Sequence, residues 1–222
     1  MKDKIKQALD SRQKHRINEE KLTPSAVLVP MFCKNGEYHI LFTQRSDSVA
    51  NHKGQVSFPG GAYSEGDSSL LDTALRESWE EIGLETKDVE ILGELDDFAT
   101  VSGFIISPFV GLIPYPYKFR ENCDEIGEIF DMPVSALLDE VNVRQEDMTV
   151  SAFLDSAGVR REDVSVSALI DKSNLGKDAQ ITDNETIVVY FYEYDGRVVW
   201  GATARILKQF LDVLQSLSEA QG

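Results

Sequence analysis

Apolar positions along the chain change period several times, and each change marks an element. Residues 3–15 set Ile5 and Leu9 on one side of an otherwise polar stretch and predict a short helix. SAVLVPMF (25–32) is a β-branched run and predicts a strand, KNGEY (34–38) carries an Asn-Gly turn, and HILFTQR (39–45) returns as a second strand. SFPGGAYSEGDSS (57–69) is a glycine-rich loop, and a helix over 69–83 follows it, ending at Gly83. VEILGEL (89–95) and FIISPFVGLI (104–113) read as further strands. EIGEIF (125–130) is extended and leads into MPVSALLD (132–139). Residues 186–201 read as a hairpin turning at Asp195-Gly196, and 203–217 as an amphipathic helix. Strands interleave with helices without a visible boundary, so one mixed α/β domain over 1–222 is expected.

One segment breaks this order. VSALLD (134–139), VSAFLD (150–155) and VSALID (166–171) recur every 16 residues, and VRQED (143–147) recurs as VRRED (159–163). Two units are too few for a solenoid. The segment, at about 140–185, is therefore expected to be a surface insertion of short helices or hairpins. A lid or a homodimerisation arm is the alternative. KSNLGKDAQITDNE (172–185) reads as a polar loop.

Composition is that of a soluble globular chain, with 42% hydrophobic and 27% charged residues among 222. No apolar run reaches the length of a membrane span. The N-terminus lacks the apolar run of a secretory signal and carries Asp3 and Asp10; SEAQG at the C-terminus is no targeting tripeptide. Cys33 and Cys123 are too few for a disulfide scaffold. A cytoplasmic protein is expected. The net charge of −16 argues against a nucleic-acid partner. It also means that an anionic ligand needs local cations, either metal ions or a few placed basic residues.

Candidate chemistry lies in LRESWEEIGL (75–84). At about 100° per residue, Leu71, Ala74, Leu75, Ser78 and Ile82 share one face of the helix. Glu77 and Glu81 lie beside that face, and Glu80 lies further toward solvent. Like charges at i, i+4 oppose each other, and a cation between them offsets the cost. Hard divalent ions take oxygen ligands. An acidic helix face alone is usually only solvated, but here Gly60-Gly61 precedes the helix. Glycine lets backbone approach a metal or a phosphate closely, and a loop carbonyl can add a ligand. Arg76 can hold a carboxylate by a bidentate pair.

With these residues, GGAYSEGDSSLLDTALRESWEEIGL (60–84) resembles the Nudix box of the Nudix hydrolases. Arg76-Glu77, Glu80-Glu81, Gly83 and Leu84 fit it. The spaced acid is Asp67 rather than Glu, with one extra residue before Arg76, and Ser78 stands at a usually hydrophobic position. LFTQRSDSVANHKGQVSFPGG (41–61) is similar to the extra motif of the coenzyme A pyrophosphatase branch, through Thr43, Arg45, Ser46, Gly54 and Phe58 to Gly61. The extra residue before Arg76 is usual in that branch, and VVWGATARIL (198–207) looks like it too. Ala50 departs, standing where a basic residue is expected. The resemblance covers about 25–139 and 186–215.

The resemblance implies an α/β/α sandwich with a mixed sheet, carrying the duplicated insertion near its C-terminal part. It implies metal-dependent hydrolysis, with Mg²⁺ or Mn²⁺, of the pyrophosphate bond of coenzyme A or a derivative. The products would be 3′,5′-ADP and 4′-phosphopantetheine or its acyl form. Another nucleoside diphosphate conjugate, such as ADP-ribose or NADH, is the alternative substrate; a non-catalytic nucleotide-binding module is the alternative class. Glu77 and Glu81 would be the principal metal ligands, Glu80 a further ligand or a water-positioning group, and the Gly61 carbonyl an extra ligand. Arg76 would orient the glutamates. The general base varies within the family between a box glutamate and one from a distant loop, here Glu125 or Glu128. Arg45, His52 and Lys53, beside Gly60 and Gly61, are the substrate-binding candidates. Tyr63 and Trp200 stack on adenine or simply pack, and Arg205 is a surface cation or an ion partner.

Overall fold

β1 (Thr23–Lys34) is the strand around which the rest is arranged. The computed structural model describes residues 1–46, 54–157 and 185–219. Ala50, His52, Lys53, VRRED (159–163), VSALID (166–171) and nearly all of the polar loop after them lie outside the described residues. The unbroken apolar run of β1 reflects burial on both faces: Ala26, Leu28 and Phe32 enter one core, while Val29 and Met31 enter another. β2 (Glu37–Arg45) returns antiparallel to β1, with Lys34 opposite Glu37. The turn between them has positive φ at both Asn35 and Gly36, which matches the twist of a two-residue hairpin.

Six more strands complete the first sheet among the described residues: β3 (Val56–Ser57), β4 (Gly60–Ala62), β5 (Glu90–Glu94), β6 (Phe98–Ala99), β7 (Phe104–Leu112) and β8 (Ile126–Pro133). The order is β3-β2-β1-β7-β5, with β4 beside β1, β6 beside β7 and β8 beside β2. β1 and β7 run parallel from Thr23↔Phe104 to Met31↔Leu112, and the other pairs are antiparallel, so the sheet is mixed.

Helices cover both faces. α2 (Leu70–Ile82) contributes Ala74 and Ile82 to the core with Ala26, Leu28 and Leu41. α1 (Lys2–Ser11) and α5 (Gly201–Glu219) cover the other face, where Ile5, Leu9, Leu207 and Phe210 meet Val29, Met31 and Phe42. Phe42 lies between Phe58 and Phe130, with ring centroids 5.1 and 5.6 Å away. Burial of each such ring contributes about 1.5–3 kcal/mol. Among the described residues no helix is long and apolar enough to cross a membrane.

Two expectations change. The first helix stops at Ser11 rather than running to residue 15. Arg12 is already extended (ψ 144°), because the basic residues after it are drawn to an acidic run elsewhere. Arg12 pairs with Asp96 at 2.9 Å, and Lys14 pairs with Glu94 at 2.7 Å and Asp97 at 2.9 Å. The repeat also enters the framework. Its first VSALLD forms α3 (Val134–Leu138), VRQED opens β9 (Val143–Thr149), and VSAFLD opens α4 (Val150–Ala157). β9 pairs with β10 (Thr186–Tyr194) from Thr149↔Thr186 to Val143↔Tyr192, and β10 pairs with β11 (Arg197–Trp200), making a second, three-stranded sheet. Val150 and Leu154 are buried. β9 is thus a largely exposed edge strand that pairs one side of β10, and α4 is a short helix anchored by Val150 and Leu154.

Candidate active site

The glycine pair of the expected loop is strand β4, paired with the first half of β1: Ala26↔Gly61 and Val27↔Gly60. Both positions need glycine, for different reasons. At Gly60 φ is +155°, and an added Cβ would lie 2.3 Å from the Ala26 carbonyl oxygen. At Gly61 an added Cβ would lie 2.5 Å from the Glu77 carboxylate carbon. The carboxylate thus rests directly on the Gly61 backbone. Gly61→Ala is expected to push Glu77 aside and lower kcat/KM about a hundredfold, with a stability cost of only about 1 kcal/mol. Steady-state kinetics beside a thermal melt would check this; unchanged kinetics would mean that Glu77 can move freely.

α2 carries the glutamates. Ser69 caps its start by accepting the Asp72 N–H at 3.1 Å, and Gly83 ends it in the left-handed region. The unusual Ser78 is fully buried, and its hydroxyl donates to the Ala74 carbonyl at 2.6 Å, so its polar group costs the core little. Glu81, expected beside the apolar face, is inside it, with 4% exposure. It accepts the Gly60 N–H at 3.3 Å. Burial pushes its carboxyl up to about 8, the Gly60 N–H opposes this, Glu77 adds to it and Arg45 opposes it. Burial also raises the Glu77 carboxyl, against the pull of Arg76. Glu80 is more exposed and reaches Arg76 at 3.0 Å.

Arg76 is the hub of this cluster. Its Nε donates to Asp67 Oδ1 at 2.8 Å and Nη2 to Oδ2 at 3.1 Å, a bidentate pair. Nη1 reaches Glu77 at 2.8 Å as well as Glu80. Asp67 is buried and also accepts the Ser64 N–H at 3.0 Å and the Thr73 hydroxyl at 2.8 Å. The Arg76 guanidinium holds the Asp67 carboxyl well below the usual carboxylate range. The sequence motif assigns Arg76 to the glutamates but does not reveal Asp67 as its anchor. The nine-residue separation of Asp67 and Arg76 gives no helical spacing that would show it.

The distant acids separate. The segment before β8 docks on the end of α2: the Arg120 N–H donates to the Ile82 carbonyl at 2.9 Å and the Asn122 N–H to the Glu81 carbonyl at 2.8 Å. These bonds satisfy carbonyls that a helix end leaves free. They bring Glu125, held by Asn122 Nδ2 at 3.1 Å, close enough for its charge to raise both Glu77 and Glu81. Glu128 instead pairs with Arg197 on β11. Arg45, at the end of β2, has a buried Nε without a hydrogen-bond partner among the described residues.

A model of the NUDIX domain matches residues 22–153. The uncharacterized Nudix hydrolase NudL of Photorhabdus laumondii is 31% identical over 191 residues, covering 86% of this chain and 84% of that protein. The chain belongs to the Nudix family. The NudL protein of Pectobacterium atrosepticum is 44% identical over 110 residues, which are 50% of this chain and only 57% of the relative. Among solved structures, the NUDIX domain of Shewanella oneidensis NrtR complexed with ADP ribose has a TM-score of 0.44 at 18% identity, covering 54% of this chain and 78% of that one.

Nudix hydrolases generally use divalent metal ions. The buried Glu81 and the half-buried Glu77, whose charge raises Glu81, are an all-oxygen donor pair that fits such an ion. Among the described residues no three acidic, imidazole or thiol groups form a ready metal cage. The pair would therefore need oxygens from backbone, water or substrate to complete a shell, as Mg²⁺ commonly does.

A cavity of about 550 Å³ adjoins the glycine strand of this Nudix fold. Gly60, Gly61 and Arg45 line it, so β4 is a shared wall between the glutamates and the cavity. Trp200 also lines it and stacks on Phe191 with centroids 6.2 Å apart. Arg205, another lining residue, lies over the Phe98 ring at 5.4 Å. Tyr63 is outside the lining, and its hydroxyl donates to the Asp67 carbonyl at 3.0 Å.

Proposed function

We propose that this Nudix chain, acting as one unit over residues 1–222, hydrolyses the pyrophosphate bond of coenzyme A or its derivatives, giving 3′,5′-ADP and 4′-phosphopantetheine or its acyl form. The observation that carries the reading is the pair Glu77 and Glu81, the latter buried, held against Gly61 and Gly60 of a strand that lines a ligand-sized cavity. The motif around Arg45 and Gly60-Gly61 supports coenzyme A as the conjugate.

Glu77 and Glu81 would hold Mg²⁺ or Mn²⁺, and the bound ion would supply neutralisation of phosphate charge and activation of water. Arg76 fixes Glu77 and Glu80 against Asp67. Arg45 offers its buried Nε to a phosphate oxygen, which relieves the cost of a buried donor without an acceptor. Glu125 accepts the proton of the attacking water. The water oxygen bonds to phosphorus, and the bridging P–O bond breaks toward the other phosphate.

The test is mass spectrometry of products from coenzyme A, ADP-ribose and NADH, each with Mg²⁺, with Mn²⁺ and with chelator. Metal-dependent 3′,5′-ADP from coenzyme A is expected. Cleavage of ADP-ribose or NADH alone would discard coenzyme A but keep the site. Loss of all turnover would favour a binding module.

A further inference from the structure

The cavity has a second wall that the pyrophosphate chemistry does not need. It is built by α4 and the second sheet: Phe153 comes from α4, Ile187 and Val189 from β10, and Trp200 from the end of β11. Phe153 and Ile187 pack with Val101 on the buried Val150 and Leu154 of α4, so the phenyl ring is held from beneath. Phe153 is only partly buried and still reaches the cavity. Phe98, from the first sheet, adds another ring. Arg45 and the glycine backbone offer polar groups to a phosphate, whereas Phe98, Phe153, Ile187, Val189 and Trp200 present apolar surface, with Arg205 over the Phe98 ring as the charged group among them.

A pyrophosphate needs only the polar wall. The cavity as a whole, about 550 Å³, lies within the range of sites that enclose drug-sized ligands. β4 borders both the glutamates and the cavity, so the arm of a conjugate whose diphosphate sits at the glutamates can extend along the strand toward this wall. A free apolar surface of this kind in water is unfavourable unless something covers it, at about 25 cal/mol per Å². An apolar group carried by the substrate itself is the occupant that the position favours, since binding the diphosphate brings that group to the wall.

We infer that the described part of the repeat, through Phe153 of α4, is the specificity wall of the site and selects substrates whose leaving group carries an apolar chain. This rests on the diphosphate-conjugate reading above. The duplicated segment thereby gains a role in the site, since β9 pins α4 to β10 and α4 presents Phe153.

The test uses the full chain and two probes, the acetyl and octanoyl thioesters of coenzyme A. Binding is measured by calorimetry in chelator, where no turnover is expected, and kcat/KM is measured with Mg²⁺. Wild-type protein is expected to bind the octanoyl probe at least about tenfold more tightly than the acetyl probe. Phe153→Ala is expected to lose most of that ratio while leaving acetyl binding within about twofold, and Phe153→Leu to keep about half of it in logarithmic terms. Equal binding of the two probes by wild type, or an unchanged ratio in Phe153→Ala, overturns the inference. Should Phe153→Ala fail to fold, as judged by circular dichroism, Phe153→Leu and Ile187→Ala carry the same comparison. A preserved binding ratio without turnover of either probe would refute the hydrolase reading while leaving this wall intact.

Discussion

Glu81→Gln is expected to abolish metal-dependent turnover, by about 10²–10⁴-fold in kcat, while making the metal-free fold more stable at neutral pH. The two effects have one cause. Glu81 is almost completely buried, and burial pushes its carboxyl up to about 8. A folded value above the unfolded one contributes stability that is full below about 4.5 and is lost as pH rises toward 8. At pH 8 and above, the ionised group costs the metal-free protein on the order of 4 kcal/mol. Glutamine has nearly the same shape and keeps an acceptor for the Gly60 N–H, without the charge. Denaturant unfolding in chelator at pH 5, 7 and 8.5 would show wild type weakening with pH and Glu81→Gln nearly flat. Adding Mg²⁺ should restore wild type most at high pH and leave the variant unmoved. Full activity in Glu81→Gln would remove this residue from the chemistry.

The second large effect concerns Asp67. Asp67→Asn is expected to cost about 2–4 kcal/mol, because Arg76 is left without its buried counter-charge. Arg76 is 30% exposed, so water screens part of that loss. The Asp67 carboxyl is held below its usual range, and its contribution is therefore present above about 3.8 and lost as pH falls further. Wild type should show this steep loss of stability on acidification, and the variant should lack that part of it. Activity should fall about tenfold as well, since Arg76 also positions Glu77 and Glu80. An unchanged denaturant midpoint at pH 7 would mean that Glu77 and Glu80 alone suffice to hold the guanidinium.

Several elements were legible in the residues because their cause is local. The Asn35-Gly36 and Asp195-Gly196 turns follow from positive φ at both positions, which few other residues adopt easily. The α2 helix follows from its apolar period, its Ser69 cap and its Gly83 stop. The three glutamates follow from spacing on that helix. The depth of Glu81 did not, because a 100° period fixes direction around a helix but not how closely the sheet approaches. Nothing local marks Asp67 as the partner of Arg76 or separates Glu125 from Glu128. That separation comes from the chain docking on the end of α2 through Arg120 and Asn122. The first helix ended early for the same kind of reason, since its basic residues found Glu94, Asp96 and Asp97.

The sequence by itself determined the longer strands of the first sheet, the last hairpin, the two turns, helices α2 and α5 and the acidic motif, since backbone preference and side-chain period act over a few neighbouring residues; the short strands β3, β4 and β6 and the edge strand β9 were not legible in it. Only the tertiary structure decided which carboxylates are buried, that the Arg45 Nε is enclosed beside them, and that the first repeat joins a sheet and walls a cavity. Those outcomes depend on desolvation and on contacts between segments far apart in the chain. The Thr203 hydroxyl, for one, donates to the Val56 carbonyl across 147 residues, and no local pattern records such a bond.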